Sequence, residues 1–421
     1  MDDAQLAQAS LEDVASYIAR LISVAGFRIS EVCDLLLKKG VMCRASDIHI
    51  EPNREGVRVR YRVDGVFQDA AFLPSELHDQ LVSRIKVLGD LLSHRREIVQ
   101  EGRIRLSIKG EQADLRISVV PTVAGEKVVG RVYNMHGAIA DLNQIGYTGS
   151  MLRRLRSILF DLEGLFLLCG PSGSGKTTTL YALLHEIQRE MDAYASIITI
   201  EDPVEYEFGK WSQMQVNRQV GLDFAAGLRA SLRQDPEVLM VGEIRDRETA
   251  EVALHAGLTG HLVLSTLHAG SAPETVTRLI NMDLEPFVVA SALTGVIAQR
   301  LLRRVCTHCR EEVPLEPNKA TLIRRLMRDL GEDDELTTFQ GKGCERCQFT
   351  GFLGRIPVAE FLDVDEDVRA QILEKARTSE VLRMLLARGW QTLLDDGLEK
   401  ARSGVTTFDE VLRSISLREV M

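Results

Sequence analysis

The stretch Gly170, Pro171, Ser172, Gly173, Ser174, Gly175, Lys176, Thr177 follows the apolar run Leu165–Cys169 and precedes the helix-forming stretch Thr178–Leu184. A buried-strand pattern, a loop of form G-x-x-x-x-G-K-[ST] and a helix in that order dictate a strand–loop–helix unit of an α/β sheet. Glycines let backbone N–H groups wrap a phosphate chain, and the helix turns its positive end toward the anion. Lys176 can reach the outer phosphates, and the Thr177 hydroxyl is placed to ligate Mg²⁺, with Thr178 beside them at the helix start as a further nucleotide-binding residue. The spacing implies a nucleoside triphosphate such as ATP as ligand.

Further along, the pattern alternates helix and strand, with strands expected at Ala195–Ile200, Val238–Val241 and Leu262–Ser265. That alternation predicts a parallel sheet covered on both faces. Ligand groups should then gather at the carboxyl ends of its strands. Glu201 closes the first of them, ahead of Asp202 and Glu205, and is either a solvated strand-end acid, the commoner case, or a candidate to hold Mg²⁺ through water or to place the attacking water. Glu243 follows the second strand and is the candidate general base. His261 and His268 bracket the third, as a γ-phosphate sensor and inter-subunit contact or as structural histidines. Arg229 and Arg233 are expected on one helix face, as arginine fingers or as surface ion pairs.

Before this lies a stretch with helices near 11–24, 30–39 and 75–92 and alternating segments between and after them. It predicts a smaller α+β module. Asp64 and Gly65 mark a hairpin turn, and Gly40 an expected helix end. At 421 residues the chain should hold two or three domains, and its net charge of −10 argues against a mainly electrostatic nucleic-acid binder. No apolar run has bilayer-spanning length, and the acidic start lacks the marks of a signal peptide. A cytoplasmic protein is expected, attached to membranes through partners only.

Four of the seven cysteines form two C-x-x-C knuckles, Cys306/Cys309 and Cys344/Cys347, separated by the 34 residues 310–343. Four thiolates make a closed tetrahedral site, so a structural Zn²⁺ is expected, with iron the chemical rival. A redox pair would need a thioredoxin-like context that is absent. A nucleic-acid-binding ribbon using Arg300, Arg303, Arg304 and Arg310 is opposed by the acidic stretch Glu332–Glu335.

These motifs, with Arg44–Pro52, Gly102–Ile104, Asp114–Ser118, Gly125–Lys127 and the closing Gly397–Val411, closely resemble the secretion-type ATPase superfamily. Specifically, they resemble the assembly motors of type II secretion and type IV pili. The resemblance implies a RecA-like P-loop ATPase domain with a parallel sheet, preceded by a smaller α+β module and carrying a four-Cys zinc insert. The expected boundaries are a helical segment 1–40, a PAS-like module 41–135, a linker 136–147 and the ATPase domain 148–421, with the insert at 304–350 and a helical tail at 359–421. It further implies a homohexamer that hydrolyses ATP, with Arg103 and Arg116 reaching the nucleotide from the first module and Arg229 and Arg233 from the ATPase domain. The implied partner is a polytopic inner-membrane platform protein with pilin-like subunits; a DNA-transfer motor of the same superfamily and a non-hydrolysing scaffold are the alternatives. Three departures stand out. Only about forty residues precede Ser46, fewer than in assembly motors, which leaves the docking mode open, with Leu11–Ile22 as a remnant of or replacement for the usual docking domain. Ala269 and Gly270 follow His268 in place of Thr and Asn. Gly130 replaces a large aliphatic residue, which predicts looser packing there.

Overall fold

The computed structural model describes residues 1–133, 141–191, 195–327 and 336–415. The expected acidic stretch Glu332–Glu335 and linker residues 136–140 lie outside them. The chain divides into two compact units, residues 1–137 with 306–310 and 341–354, and residues 138–305 with 311–340 and 355–421.

In the first unit α1 (Asp3–Gln8), α2 (Leu11–Ile22) and α3 (Ile29–Met42) precede β1 (Ala45–Pro52), β2 (Val57–Val63) and β3 (Val66–Leu73). Helix α4 (His78–Leu88) then leads to β4 (Gln100–Ile108), β5 (Glu111–Thr122) and β6 (Gly125–Tyr133). The strands form one sheet of order β3-β2-β1-β6-β5-β4, with antiparallel pairing throughout. Ser10 and Asp13 make a reciprocal capping box that starts α2. Contrary to expectation, α3 runs past Gly40. A Cβ there would lie 2.5 Å from Ile48 Cδ1, so this glycine serves close helix–sheet approach and not helix termination. Tyr61 reinforces that approach by donating its hydroxyl to the Leu36 carbonyl at 2.6 Å. Nor is packing loose at Gly130: Ile117 Cδ1 stands 3.0 Å from where its Cβ would be.

In the second unit α5 (Gly149–Phe160), β7 (Gly164–Cys169), α6 (Lys176–Glu190), β8 (Ile197–Glu201), β9 (Ser212–Gln215), α7 (Phe224–Ser231) and β10 (Val238–Val241) come first. They are followed by α8 (Arg247–Leu258), β11 (Leu262–Leu267), α9 (Ala272–Asn281), α10 (Pro286–Ala292) and β12 (Leu293–Val305). After β13 (Arg310–Pro314), α11 (Pro317–Leu326), β14 (Thr337–Gly341) and β15 (Phe352–Asp363), the chain ends in α12 (Glu366–Leu373), α13 (Thr378–Ala387), α14 (Leu393–Arg402) and α15 (Phe408–Ser414). The main sheet has order β15-β12-β7-β11-β10-β8-β9, and its pairs from β12 to β9 are parallel. Successive β7 residues feed opposite cores. Leu165, Leu167 and Cys169 join one cluster, and Phe166 and Leu168 the other. That is why this strand is apolar without alternation. No described helix is long and apolar enough to cross a membrane.

Candidate functional site

Parallel register aligns the strand ends. Cys169 lies beside Leu267 and Val241 beside Ser265, so the glycine loop, Glu243 and His268 all leave the same edge of the sheet. Gly175, at φ 87°, caps α6 without any side-chain hydrogen bond, which leaves the first-turn N–H groups without a side-chain acceptor. Gly170 is equally constrained, because a Cβ would fall 2.5 Å from the Gln299 carbonyl oxygen. Lys176 Nζ donates to the Gly170 and Pro171 carbonyls at 2.8 and 3.1 Å. Burial pulls its pKa below the usual lysine value. Ser174 Oγ is buried in the loop with no partner, a polar atom that suits an anionic ligand in this cradle. Thr177 is half-buried on the first turn of α6, while Ser172, Gly173 and Thr178 are exposed.

The carboxylate of Glu243 is held from two sides. Arg245 Nη2 stands 2.5 Å from Oε1 and His268 Nε2 stands 3.6 Å from Oε2. Beneath it, Ser265 and Thr266 donate their hydroxyls to the Val241 and Gly242 carbonyls at 2.7 and 2.8 Å, and Ile244 N–H bonds the Thr266 carbonyl. Hydroxyls on β11 thus fix the exit of β10, and with it the direction of Glu243.

Two expected placements change. Glu201 is 3% exposed, and its oxygens accept from Tyr181, from Thr199 Oγ1 at 2.6 Å and from Gln213 Nε2 at 3.1 Å. Three internal donors make it a carboxylate that joins β8, β9 and α6. Helix α7 ends at Ser231, so Arg229 and Arg233 do not share a helix face. The turn before Pro236, with Asp235 at φ 51°, stops the helix. Arg229 pairs with Glu248 at 2.8 Å, and Arg233 is exposed. His261 lies before β11, at the end opposite His268, and hydrogen-bonds the Ala256 carbonyl at 3.2 Å. The two histidines thus bracket the six-residue strand, as the pattern predicts.

In the first unit Arg103 and Arg116 stand directly opposite each other on β4 and β5. Both are exposed, Arg103 pairing with Asp114 at 2.5 Å and Arg116 with Glu101 at 2.7 Å. The same unit holds the cysteines, whose Sγ atoms all lie within 4.8 Å of one another. The Cys306–Cys344, Cys309–Cys347 and Cys344–Cys347 sulfur separations are 3.9, 3.8 and 3.8 Å. A tetrahedron of about 2.3 Å zinc–sulfur bonds has edges of about 3.8 Å, so the donor set fits Zn²⁺. The Cys347 and Arg346 N–H groups help bring the Cys344 thiol down to about 7, favouring the ligating thiolate. Gly354 N–H anchors the knuckle region to Asp64, at the β2–β3 turn, at 3.0 Å.

Sequence reasoning missed Gln299, Tyr181 and Gln213, and met Arg300 only as part of a possible nucleic-acid-binding ribbon. Arg300 donates to the Gly270 carbonyl at 2.8 Å, just after His268. Each lies on a different element from its partner, and no local pattern marks it.

A parallel sheet that presents a glycine loop, a lysine and a strand-end carboxylate at one edge defines a P-loop domain of the RecA-like kind. The sequence matches the family described as "Type II/IV secretion system protein" over residues 26–413, and the chain belongs to that family. It is 42% identical over 377 residues to the type IV pilus assembly ATPase PilB of Thermus thermophilus, covering 90% of this chain and 42% of that protein. It is 40% identical over 385 residues to the type II secretion system protein E of Xanthomonas campestris pv. campestris, covering 91% of this chain and 67% of that protein. The chain therefore spans less than half the length of the Thermus relative. Among solved structures it resembles the Legionella pneumophila ATPase DotB at TM-score 0.65 and 21% identity, covering 90% of this chain and 94% of that one. It also resembles the pilus retraction motor PilT with bound ADP at TM-score 0.57 and 24% identity, covering 92% of this chain and 98% of that one. At such identities these two likenesses speak for the fold alone.

Proposed function

We propose that this protein is an ATP-hydrolysing motor that powers assembly of a type II secretion pseudopilus or a type IV pilus. The observation that carries the reading is the gathering of Lys176, Glu243 and His268 at one sheet edge in a chain of the secretion family. The loop N–H groups and Lys176 bind the phosphates, and the Thr177 hydroxyl is the ligand for Mg²⁺, which would neutralise phosphate charge. Glu243 takes the proton of the attacking water, its carboxylate oriented by Arg245 and His268. Arg229 and Arg233 stabilise charge on the transferred phosphoryl group, and Arg103 and Arg116 add phosphate contacts from the first module. Glu201 supports the site by holding strand ends together. The four cysteines hold a structural Zn²⁺. The protein works as a homohexamer in the cytoplasm, at the inner membrane through a polytopic platform protein, without binding nucleic acid directly.

Two experiments test this. Glu243→Gln is expected to retain ATP while losing turnover by roughly 10²–10⁴-fold, the usual worth of a positioned base; full turnover would remove the assignment. Affinity capture from gently solubilised native membranes should recover a polytopic platform protein with pilin-like subunits. Recovery of nucleic-acid or DNA-transfer components would instead favour the DNA-transfer motor.

A further inference from the structure

Gln299, on β12, is 1% exposed and touches three separate parts of the second unit. Its Nε2 donates to the carbonyl of Ser174, inside the phosphate loop, at 2.7 Å. Its Oε1 accepts from the Thr179 hydroxyl on α6 at 3.2 Å and from the Tyr147 hydroxyl. A carbonyl can only accept, so the Ser174 contact fixes which end of the amide is nitrogen. The two hydroxyls then fill both acceptor positions of the amide oxygen.

The Ser174 contact matters because of peptide geometry. In a planar trans peptide the C=O and the following N–H point in opposite directions. Holding the Ser174 carbonyl against β12 therefore aims the Gly175 N–H the opposite way. That N–H stands at the cap of α6, where an anion is bound by helix-terminal N–H groups. Gln299 also crowds the loop: a Cβ on Gly175 would lie 3.2 Å from its Nε2.

Tyr147 is the other informative partner. It is 7% exposed and sits two residues before α5, on the stretch by which the chain enters the second unit. Its neighbour Gly146, at φ 101°, is packed so closely that a Cβ would lie 2.5 Å from Ile356 Cδ1. The chain beside Tyr147 is thus closely packed, and the Tyr147 hydroxyl donates to the amide that orients the phosphate loop.

We propose that Gln299 is a positioning residue for the nucleotide phosphates and that Tyr147 couples this positioning to the segment entering the second unit. The inference rests on the reading of the glycine loop as an ATP site. Movement of the entering segment changes the hydrogen bonding of one amide, and through it the direction of one loop N–H. Nucleotide affinity and segment position are then linked in both directions.

The test is a double-mutant cycle in the full-length chain, using Tyr147→Phe, Gln299→Leu and the double variant. Affinity is read with a fluorescent ATP analogue and Mg²⁺, alongside KM, kcat and the melting temperature. Tyr147→Phe removes only a hydroxyl and should weaken binding roughly fivefold, the worth of one neutral hydrogen bond, with kcat little changed. In the Gln299→Leu background the same change should have no effect, because the relay is already cut. Equal effects of Tyr147→Phe in both backgrounds, or no effect in either, would overturn the proposal. If Gln299→Leu does not fold, Gln299→Met takes its place in the cycle. Wild-type protein that binds no better than Lys176→Ala would overturn the ATP-site reading itself, and this inference with it. Tight wild-type binding with an additive cycle sinks the relay alone.

Discussion

Glu410→Gln should loosen the C-terminal tail from the strand that carries Gln299 and Arg300. Glu410 is 2% exposed, and its two oxygens receive five N–H groups: Arg303 N, Nε and Nη2 and Arg413 Nε and Nη2, at 2.6 to 3.2 Å. The Arg413 side chain is 55% exposed, so that pair is screened and contributes little. Arg303 is 22% exposed and supplies three of the bonds, so it carries most of the effect. A glutamine keeps one acceptor oxygen but turns an NH₂ group toward a guanidinium. Breaking a buried pair in this way costs about 3 kcal/mol. For a unit of this size that lowers the melting temperature by roughly 6–10 °C. Burial alone would raise the Glu410 pKa, but Arg303 and Arg413 outweigh it and hold the carboxyl below its usual 4.5. Its stabilisation is therefore complete above about pH 4.5 and is lost as pH falls through the lower folded value. Thermal unfolding from pH 7 to pH 3 should show a wild-type advantage that shrinks in that acid window. A loss under about 0.5 kcal/mol at pH 7, or an advantage that grows as pH falls below 4.5, would refute the argument.

The remaining predictions concern the metal, the strand exit and one histidine. Cys309→Ser should cut bound zinc well below one equivalent by atomic emission and lower the melting temperature, as chelation should in the wild type; full zinc retention would contradict the four-thiolate site. Thr266→Val keeps shape but strands the Gly242 carbonyl, so it should cost about 1–3 kcal/mol in urea unfolding and lower kcat more than nucleotide affinity. His185 packs 4.8 Å from Trp211 and 5.0 Å from Phe208, with Nε2 buried and unpartnered. Burial holds its pKa below 6.5, so stability should fall as pH drops below about 6.5 while the unfolded chain takes up the proton. A His185→Leu variant should show a flatter profile between pH 7 and pH 5 by thermal unfolding.

What the sequence disclosed was local. The strand–loop–helix around Lys176 and the strand ending before Glu243 depend on neighbours in the chain, and both stand as the pattern predicts. The cysteine knuckles were equally plain, because ligand chemistry restricts spacing. Chain direction and packing decided the rest. Gly40 looked like a helix end until Ile48 supplied a reason for a glycine inside a continuing helix. Arg233 looked helical until the turn before Pro236 ended α7 at Ser231. Glu201 looked like a free strand-end acid, yet Tyr181 and Gln213 reach it from two other elements. Gln299 meets the phosphate loop from more than a hundred residues away, where periodicity carries no signal.

The most direct test of the central claim is steady-state phosphate release from Mg·ATP by the purified full chain, with Lys176→Ala measured beside it. The account predicts Mg²⁺-dependent turnover in the wild type and a loss of roughly a hundredfold or more in the variant, since the lysine holds the outer phosphates. Turnover equal in the two proteins, or none in the wild type, would contradict it.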